Sequence, residues 1–152
     1  MPAGAVILYS AHKEDLNINA LLGATLKLAL LSSAYVPDTA TDGDAVWADI
    51  STHEIAAGNG YTAGGATLAA VAKTAIEGGF KLASDSVVWT ATGGPIPAWR
   101  YGVLYVAGSL WGYASPLLGC FLADATPADK PATTAGNTLS AHCPADGWFD
   151  VT

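Results

Sequence analysis

Charge is what this 152-residue chain has least of: only 12% of its residues are Asp, Glu, Lys or Arg, about half the usual share for a soluble protein. Basic residues are scarcest, 6 Lys plus Arg against 13 Asp plus Glu, for a formal net charge of −7. A nucleic-acid binder needs a basic footprint, and a polybasic membrane-surface binder needs clustered cations; neither is present. Cysteine is nearly absent, with Cys120 and Cys143 alone and no CxxC pair, so the chain is not a disulfide scaffold. The residues leave a Cys120–Cys143 bridge open, and Cys120, inside an apolar run, reads as a core residue. The first ten residues lack a basic n-region, so no secretory signal is expected.

What is abundant is apolar. Half the chain (51%) is hydrophobic and five tryptophans, six tyrosines and three phenylalanines are present, which excludes a disordered chain. Residues 101–123 carry no charge, long enough to span a bilayer. Five helix-breaking Gly and Pro residues within them favour two buried strands joined by a turn. So apolar a chain with so sparse a charged surface is expected to have part of that surface covered by other protein.

Periodicity points to short strands. Leu26, Leu28 and Leu30 alternate with Thr25, Lys27 and Ala29, with Lys27 outward and a Leu/Ala-rich helix as the alternative. Trp99, Tyr101, Val103 and Tyr105 share one face of the clearest strand. Further strands are expected at Val6–Tyr9, Ala66–Ala75, Phe80–Ala83, Ser86–Thr90, Pro116–Leu122, Asn137–His142 and Trp148–Thr152. His12–Asn17 reads as an exposed turn, Ser33–Asp44 as a loop, and Val46–Ile50 as a turn of helix ending near His53. Gly58–Gly65, with four glycines in eight residues (Gly58, Gly60, Gly64 and Gly65), is a specialised turn. About eight short strands with Gly/Pro punctuation indicate an all-β protein, an antiparallel β-sandwich or jelly roll. Residues 1–23 are an N-terminal arm or first strand, and 24–152 a single β-sandwich domain.

Catalytic and metal motifs fail on spacing. Gly58-x-Gly60-x-x-Ala63 matches a relaxed dinucleotide fingerprint but lacks the surrounding strand and helix. Gly108-Ser109-Leu-Trp-Gly112 has the wrong offset for a nucleophile elbow. His12, His53 and His142 are scattered and read as surface or loop histidines. Asp38, Asp42, Asp44 and Asp49 do not match the calcium-loop pattern and read as a solvated loop. No enzyme, no cofactor and no metal site is expected.

Three segments in series carry a resemblance: Lys27-Leu-Ala-Leu-Leu-Ser-Ser-Ala-Tyr-Val-Pro37, Val46-Trp-Ala-Asp-Ile-Ser-Thr-His-Glu-Ile55 and Gly58-x-Gly-Tyr-Thr-Ala-Gly-Gly-Ala-x-Leu68. With Val88-Trp-Thr90, Arg100-Tyr-x-Val-x-Tyr105, Pro116-Leu-Leu-Gly119 and Gly147-Trp-Phe149, this series resembles small structural proteins of tailed bacteriophage virions. The likeness spans about 24–152, and Gly60-Tyr-Thr-Ala-Gly-Gly65 is its most specific piece. The strands after the glycine turn are richer in Ala than that pattern. The resemblance implies a non-enzymatic virion protein assembled in the host cytoplasm, a capsid decoration (cement) protein bridging subunits of the major capsid protein. It also implies a homo-oligomer, a trimer in the usual arrangement of such proteins, with no nucleic-acid or membrane partner. A tail or head-fibre module binding a host receptor or glycan is the alternative. Trp47, Tyr61, Gly64, Gly65, Trp99, Tyr101 and Trp111 are the expected core and interface contacts, the glycine turn bringing backbone close to a neighbouring chain.

Overall fold

The computed structural model describes residues 3–13 and 16–151. Met1, Pro2, Glu14 and Asp15 of the expected polar turn, and Thr152 at the end of the expected last strand lie outside the described residues. The chain is all-β, and every strand pair is antiparallel. In order come β1 (Ile7–Leu8), α1 (Ile18–Leu22), β2 (Thr25–Leu31), α2 (Trp47–Ile50), β3 (Ala66–Thr67), β4 (Ala72–Ile76) and β5 (Gly79–Ala83). They are followed by β6 (Val87–Thr90), β7 (Tyr101–Ala107), β8 (Ser109–Leu110), β9 (Tyr113–Ala114), β10 (Leu117–Leu122), β11 (Thr138–Ala141) and β12 (Phe149–Val151). Twelve strands among the described residues exceed the expected eight because four, β1, β3, β8 and β9, are two-residue pieces.

One layer is a five-stranded sheet ordered β1-β10-β7-β2-β3. The other is built from a three-stranded sheet, β12-β5-β4, and a two-stranded one, β11-β6. Between the layers lie Leu26, Leu28 and Leu30 of β2, Leu104 and Val106 of β7, and Leu118 and Phe121 of β10. They meet Leu82, Val87, Trp89, Trp148 and Phe149 from the second layer. At about 25 cal/mol per Å² of apolar surface removed from water, this cluster is the main source of stability.

The central sheet is buried on its other face too. Ala29, Leu31, Val103, Tyr105, Leu117 and Cys120 form a second cluster with Tyr9, Tyr35 and Ile50, supplied by the N-terminal segment and the 32–54 connection. Burial on both faces explains why β2 and β7 read as near-continuous apolar runs. Lys27, expected outward, is half-buried on this second face, where its ammonium approaches Gly64. A β-bulge between Leu117 and Gly119 shifts the register of β10; it puts Leu118 and Phe121, three residues apart, on one face.

Several expectations are corrected. The expected strand 66–75 is two strands: the chain leaves one layer after Thr67 and enters the other at Ala72, turning through Ala70 at φ +53°. Trp99 does not share the face of Tyr101, Val103 and Tyr105, because β7 begins only at Tyr101; its ring joins the opposite, interlayer cluster. Residues 101–123 do hold two buried strands, β7 and β10, and the turn expected between them, residues 108–115, is itself a short exposed hairpin, β8–β9. The first 23 residues supply an edge strand and a short helix, with Tyr9, His12, Ile18 and Leu21 buried. Cys120 and Cys143 are both free and pack against opposite clusters.

Candidate functional site

Residues from Val46–Ile55, Gly58–Leu68 and Arg100–Tyr105 converge on the open edge of β2. Among the described residues no strand flanks this edge beyond Leu28, because β3 pairs only with Lys27 and Leu28. The chain fills the gap with other groups: Ile55 N–H donates to the Leu30 carbonyl (3.1 Å), and Leu30 N–H donates to the Tyr61 hydroxyl (3.0 Å). Tyr61, 2% exposed, thus uses its phenol oxygen where a neighbouring strand would present a carbonyl. The same hydroxyl donates to Glu54 Oε1 (2.8 Å), which also accepts from Gly64 N–H (2.6 Å). Tyr105, from β7, donates to the Gly64 carbonyl (2.5 Å), and the Trp47 indole stacks on the Tyr105 ring at 4.5 Å and 7°.

The glycines of this turn are required by contact within the chain. A Cβ on Gly65 (φ +80°) would lie 2.0 Å from the Leu28 carbonyl oxygen, and one on Gly60 (φ +99°) 1.9 Å from that of Thr90. The expected close approach of the glycine turn is therefore made to β2 and β6 of its own fold.

A second clamp fixes the acidic loop. Tyr9 OH donates to Tyr35 OH (2.5 Å), which donates to Asp44 Oδ2 (2.8 Å), and Asp38 N–H donates to the same oxygen (3.0 Å). Asp49 Oδ2 accepts from the Ala45 and Val46 N–H groups (3.0 and 3.1 Å), capping α2. The Asp38–Asp49 carboxylates do not all face solvent as expected: Asp44 is half-buried and organises the loop, while Asp38, Asp42 and Asp49 are exposed.

Burial raises the phenol pKa values. Tyr105 is pushed up to about 12 by desolvation and by the Glu54 charge. Tyr9, Tyr35 and Tyr61 are pushed higher, mainly by burial, with the hydrogen-bonded carboxylates of Asp44 and Glu54 adding to it for the last two. Burial likewise raises the Cys120 thiol. These groups stay protonated as donors, so both clamps hold structure.

Of the expected contact residues, Tyr61, Gly65 and Trp99 are buried in the chain itself; Trp47, Gly64, Tyr101 and Trp111 are half-buried. The first clamp unites Trp47, Tyr61, Gly64 and Gly65. Tyr101 lies apart, edge-on to Tyr35 at 5.5 Å. It lines a shallow cleft of about 280 Å³ with Ile7, Pro37, Leu122 and Pro127, where no charged residue is found. Ile7 is 57% exposed, and Val36, next to Pro37, is 80% exposed.

Trp111 sits at the tip of the β8–β9 hairpin. Leu110 pairs with Tyr113, so Trp111 and Gly112 form a two-residue turn with both φ values positive (+55° and +80°), the type I′ pattern. A bulky residue there is a backbone outlier. Beneath it lies His12, missed as a buried group because it stands in a polar segment: Nε2 donates to the Ala45 carbonyl (2.6 Å) and the ring meets the Tyr113 edge at 4.4 Å.

Among the described residues, no group of three or more His, Cys, Asp or Glu side chains is placed to hold a metal ion, and no helix is long and apolar enough to cross a membrane. Comparison with protein-family models, with curated proteins and with solved structures finds no match in any of the three.

Proposed function

We propose that this protein is a non-enzymatic structural component of a tailed-phage virion, a capsid decoration protein that attaches to the major capsid protein as an oligomer of identical chains. The observation that carries this reading is the first clamp. Glu54, Tyr61, Gly64, Gly65 and Tyr105 belong to separate segments of the resemblance and close on one another around a single strand edge. Motif residues that support one another in space are what a shared scaffold would require. The charge-free cleft at Ile7, Pro37 and Tyr101 supplies a surface for capsid contact, since interface cores are depleted in charge and enriched in aromatics. A net negative remainder keeps particles that carry many copies apart.

Cryo-electron microscopy of the native particle tests the reading: hundreds of copies on the head lattice support it, and a handful at the tail tip sink it. With recombinant protein and undecorated heads, Ile7→Asp should abolish attachment while leaving the fold intact, because Ile7 is exposed.

The β8–β9 hairpin favours one second reading, a fibre module that binds a host glycan, because it holds out Tyr113 (42% exposed) beside Trp111. Rings presented in this way stack on sugars. Trp111→Asn keeps an Asn-Gly type I′ turn and removes the indole. Loss of binding to host envelopes, with attachment to heads unchanged, would establish this reading over the first.

A further inference from the structure

The second layer ends in an edge strand whose outer side no other strand pairs with among the described residues. Ala72–Ile76 (β4) pairs on one side with β5, and no other backbone hydrogen bond reaches it among the described residues. No other unpaired edge among them runs five residues. Folded proteins defend such edges with proline, bulges, charges or short length. β4 has no proline, keeps an unbroken register and has one charged residue, Lys73. That lysine does not guard the edge: its ammonium leans away, over the Phe80 ring of β5 (4.8 Å) and onto Asn19 Oδ1 of α1 (2.8 Å).

The register identifies the free groups. Ile76 and Gly79 close the hairpin across the two residues Glu77 and Gly78, which makes them a hydrogen-bonded pair. Alternation then assigns Thr74 and Ala72 to β5, and turns the N–H and C=O groups of Lys73 and Ala75 outward. A second copy of the same strand, antiparallel, matches these two donors and two acceptors in full, with Lys73 opposite Ala75 of the other copy and Ala75 opposite its Lys73.

We propose that β4 is a homodimer interface, two copies joining edge to edge across a two-fold axis centred on Thr74, with four backbone hydrogen bonds at the seam. The side chains are complementary in that register. Thr74 faces Thr74, a favourable cross-strand pair, and Ala72 faces Ile76. The small Ala72 and Ala75 let the strands approach. Because the contact is self-complementary it closes at two copies. It differs from the trimer that the resemblance implies, and it stands or falls independently of whether the protein decorates a capsid.

Light scattering coupled to size exclusion, with dilution, reads the oligomer directly. The chain should elute at twice its 15.4 kDa mass. Ala75→Pro, which removes one outward N–H at an edge position where proline is tolerated, should run as a monomer with an unchanged circular dichroism spectrum. Thr74→Asp, which sets two carboxylates face to face at the axis, should do the same, so a folding failure of the proline variant leaves the test intact. Thr74→Cys in a Cys143→Ser background should cross-link to a dimer on mild oxidation, since directly opposed strand residues lie within disulfide reach. A monomeric wild type, a trimer or dimer indifferent to both edge variants, or no cross-link at position 74 would overturn the proposal.

Discussion

Tyr61→Phe removes one oxygen atom and tests whether a phenol stands in for a missing strand. The ring remains, so the interlayer packing of Tyr61 near Trp89 (5.8 Å between centroids) is kept. Two bonds are lost. Leu30 N–H, at 3.0 Å from the hydroxyl, is left buried with no acceptor, at about 1–3 kcal/mol. Glu54 loses a donor at 2.8 Å but keeps Gly64 N–H at 2.6 Å, so this charge-assisted bond adds only about 1 kcal/mol. The sum is about 3 kcal/mol, which for a chain of this size lowers Tm by about 6–12 °C. Urea unfolding followed by tryptophan fluorescence reads the free energy, and calorimetry the midpoint. Tyr105→Phe is the control: it deletes one hydrogen bond, to the Gly64 carbonyl, and should cost about 1 kcal/mol. If Tyr61→Phe falls within about 0.5 kcal/mol of wild type, well inside the cost of an unsatisfied buried N–H, the hydroxyl does not complete the β2 edge and the reasoning fails.

Gly65→Ala combines a φ of +80° with a Cβ 2.0 Å from the Leu28 oxygen; a loss of at least about 2–3 kcal/mol is expected, and a near-neutral result in the same unfolding assay would show that the turn can move away from β2. Alkali should unfold the protein cooperatively. Tyr105 holds its proton up to about 12 against 10.0 for the free phenol, and Tyr9, Tyr35 and Tyr61 hold theirs beyond that. The unfolded chain therefore releases protons first, and stability present below pH 10 is lost as pH rises toward 12 and above. Phenolate absorbance should rise together with loss of circular dichroism; ionisation of all six tyrosines near pH 10 in a folded protein would contradict the burial argument. In the native state a thiol reagent should modify the half-exposed Cys143 and spare Cys120, which is buried and raised in pKa, while denaturant should release both. Two fast thiols without denaturant would place Cys120 outside the core.

The long strands were readable because burial on both faces forces apolar runs onto β2, β7 and β10, and the Gly/Pro punctuation marks their ends. The break between β3 and β4 was not, because Leu68–Val71 has the same small apolar composition as its flanks and turns through an alanine. Trp99 was assigned to the wrong face since period-two counting was extended two residues past the start of β7. Trp111 at the hairpin tip left no local signal: tryptophan is not a turn former, and only Gly112 beside it hinted at a positive φ. The clamp was half legible. Its glycines and Tyr61 stood out as a motif, but nothing in the Val46–Ile55 segment marked Glu54 as a hub, because what makes it one is the approach of residues that are neighbours only in space.

The sheet order β1-β10-β7-β2-β3 also determines when a growing chain can begin to hold its shape. β2, the first long strand, finds its full-length partner only in β7, with Leu28 set against Leu104. β1 waits longer still, for Cys120 opposite Ile7. The closing strand of the second layer, with Phe149 against Leu82, follows every other strand described. Such distant pairings fold slowly, on the millisecond-to-second scale, and leave the β7-facing edge of β2 unsatisfied while the ribosome is still working. Chains cut short before β7 should accordingly collect in aggregates, and a stable second layer must wait for β12.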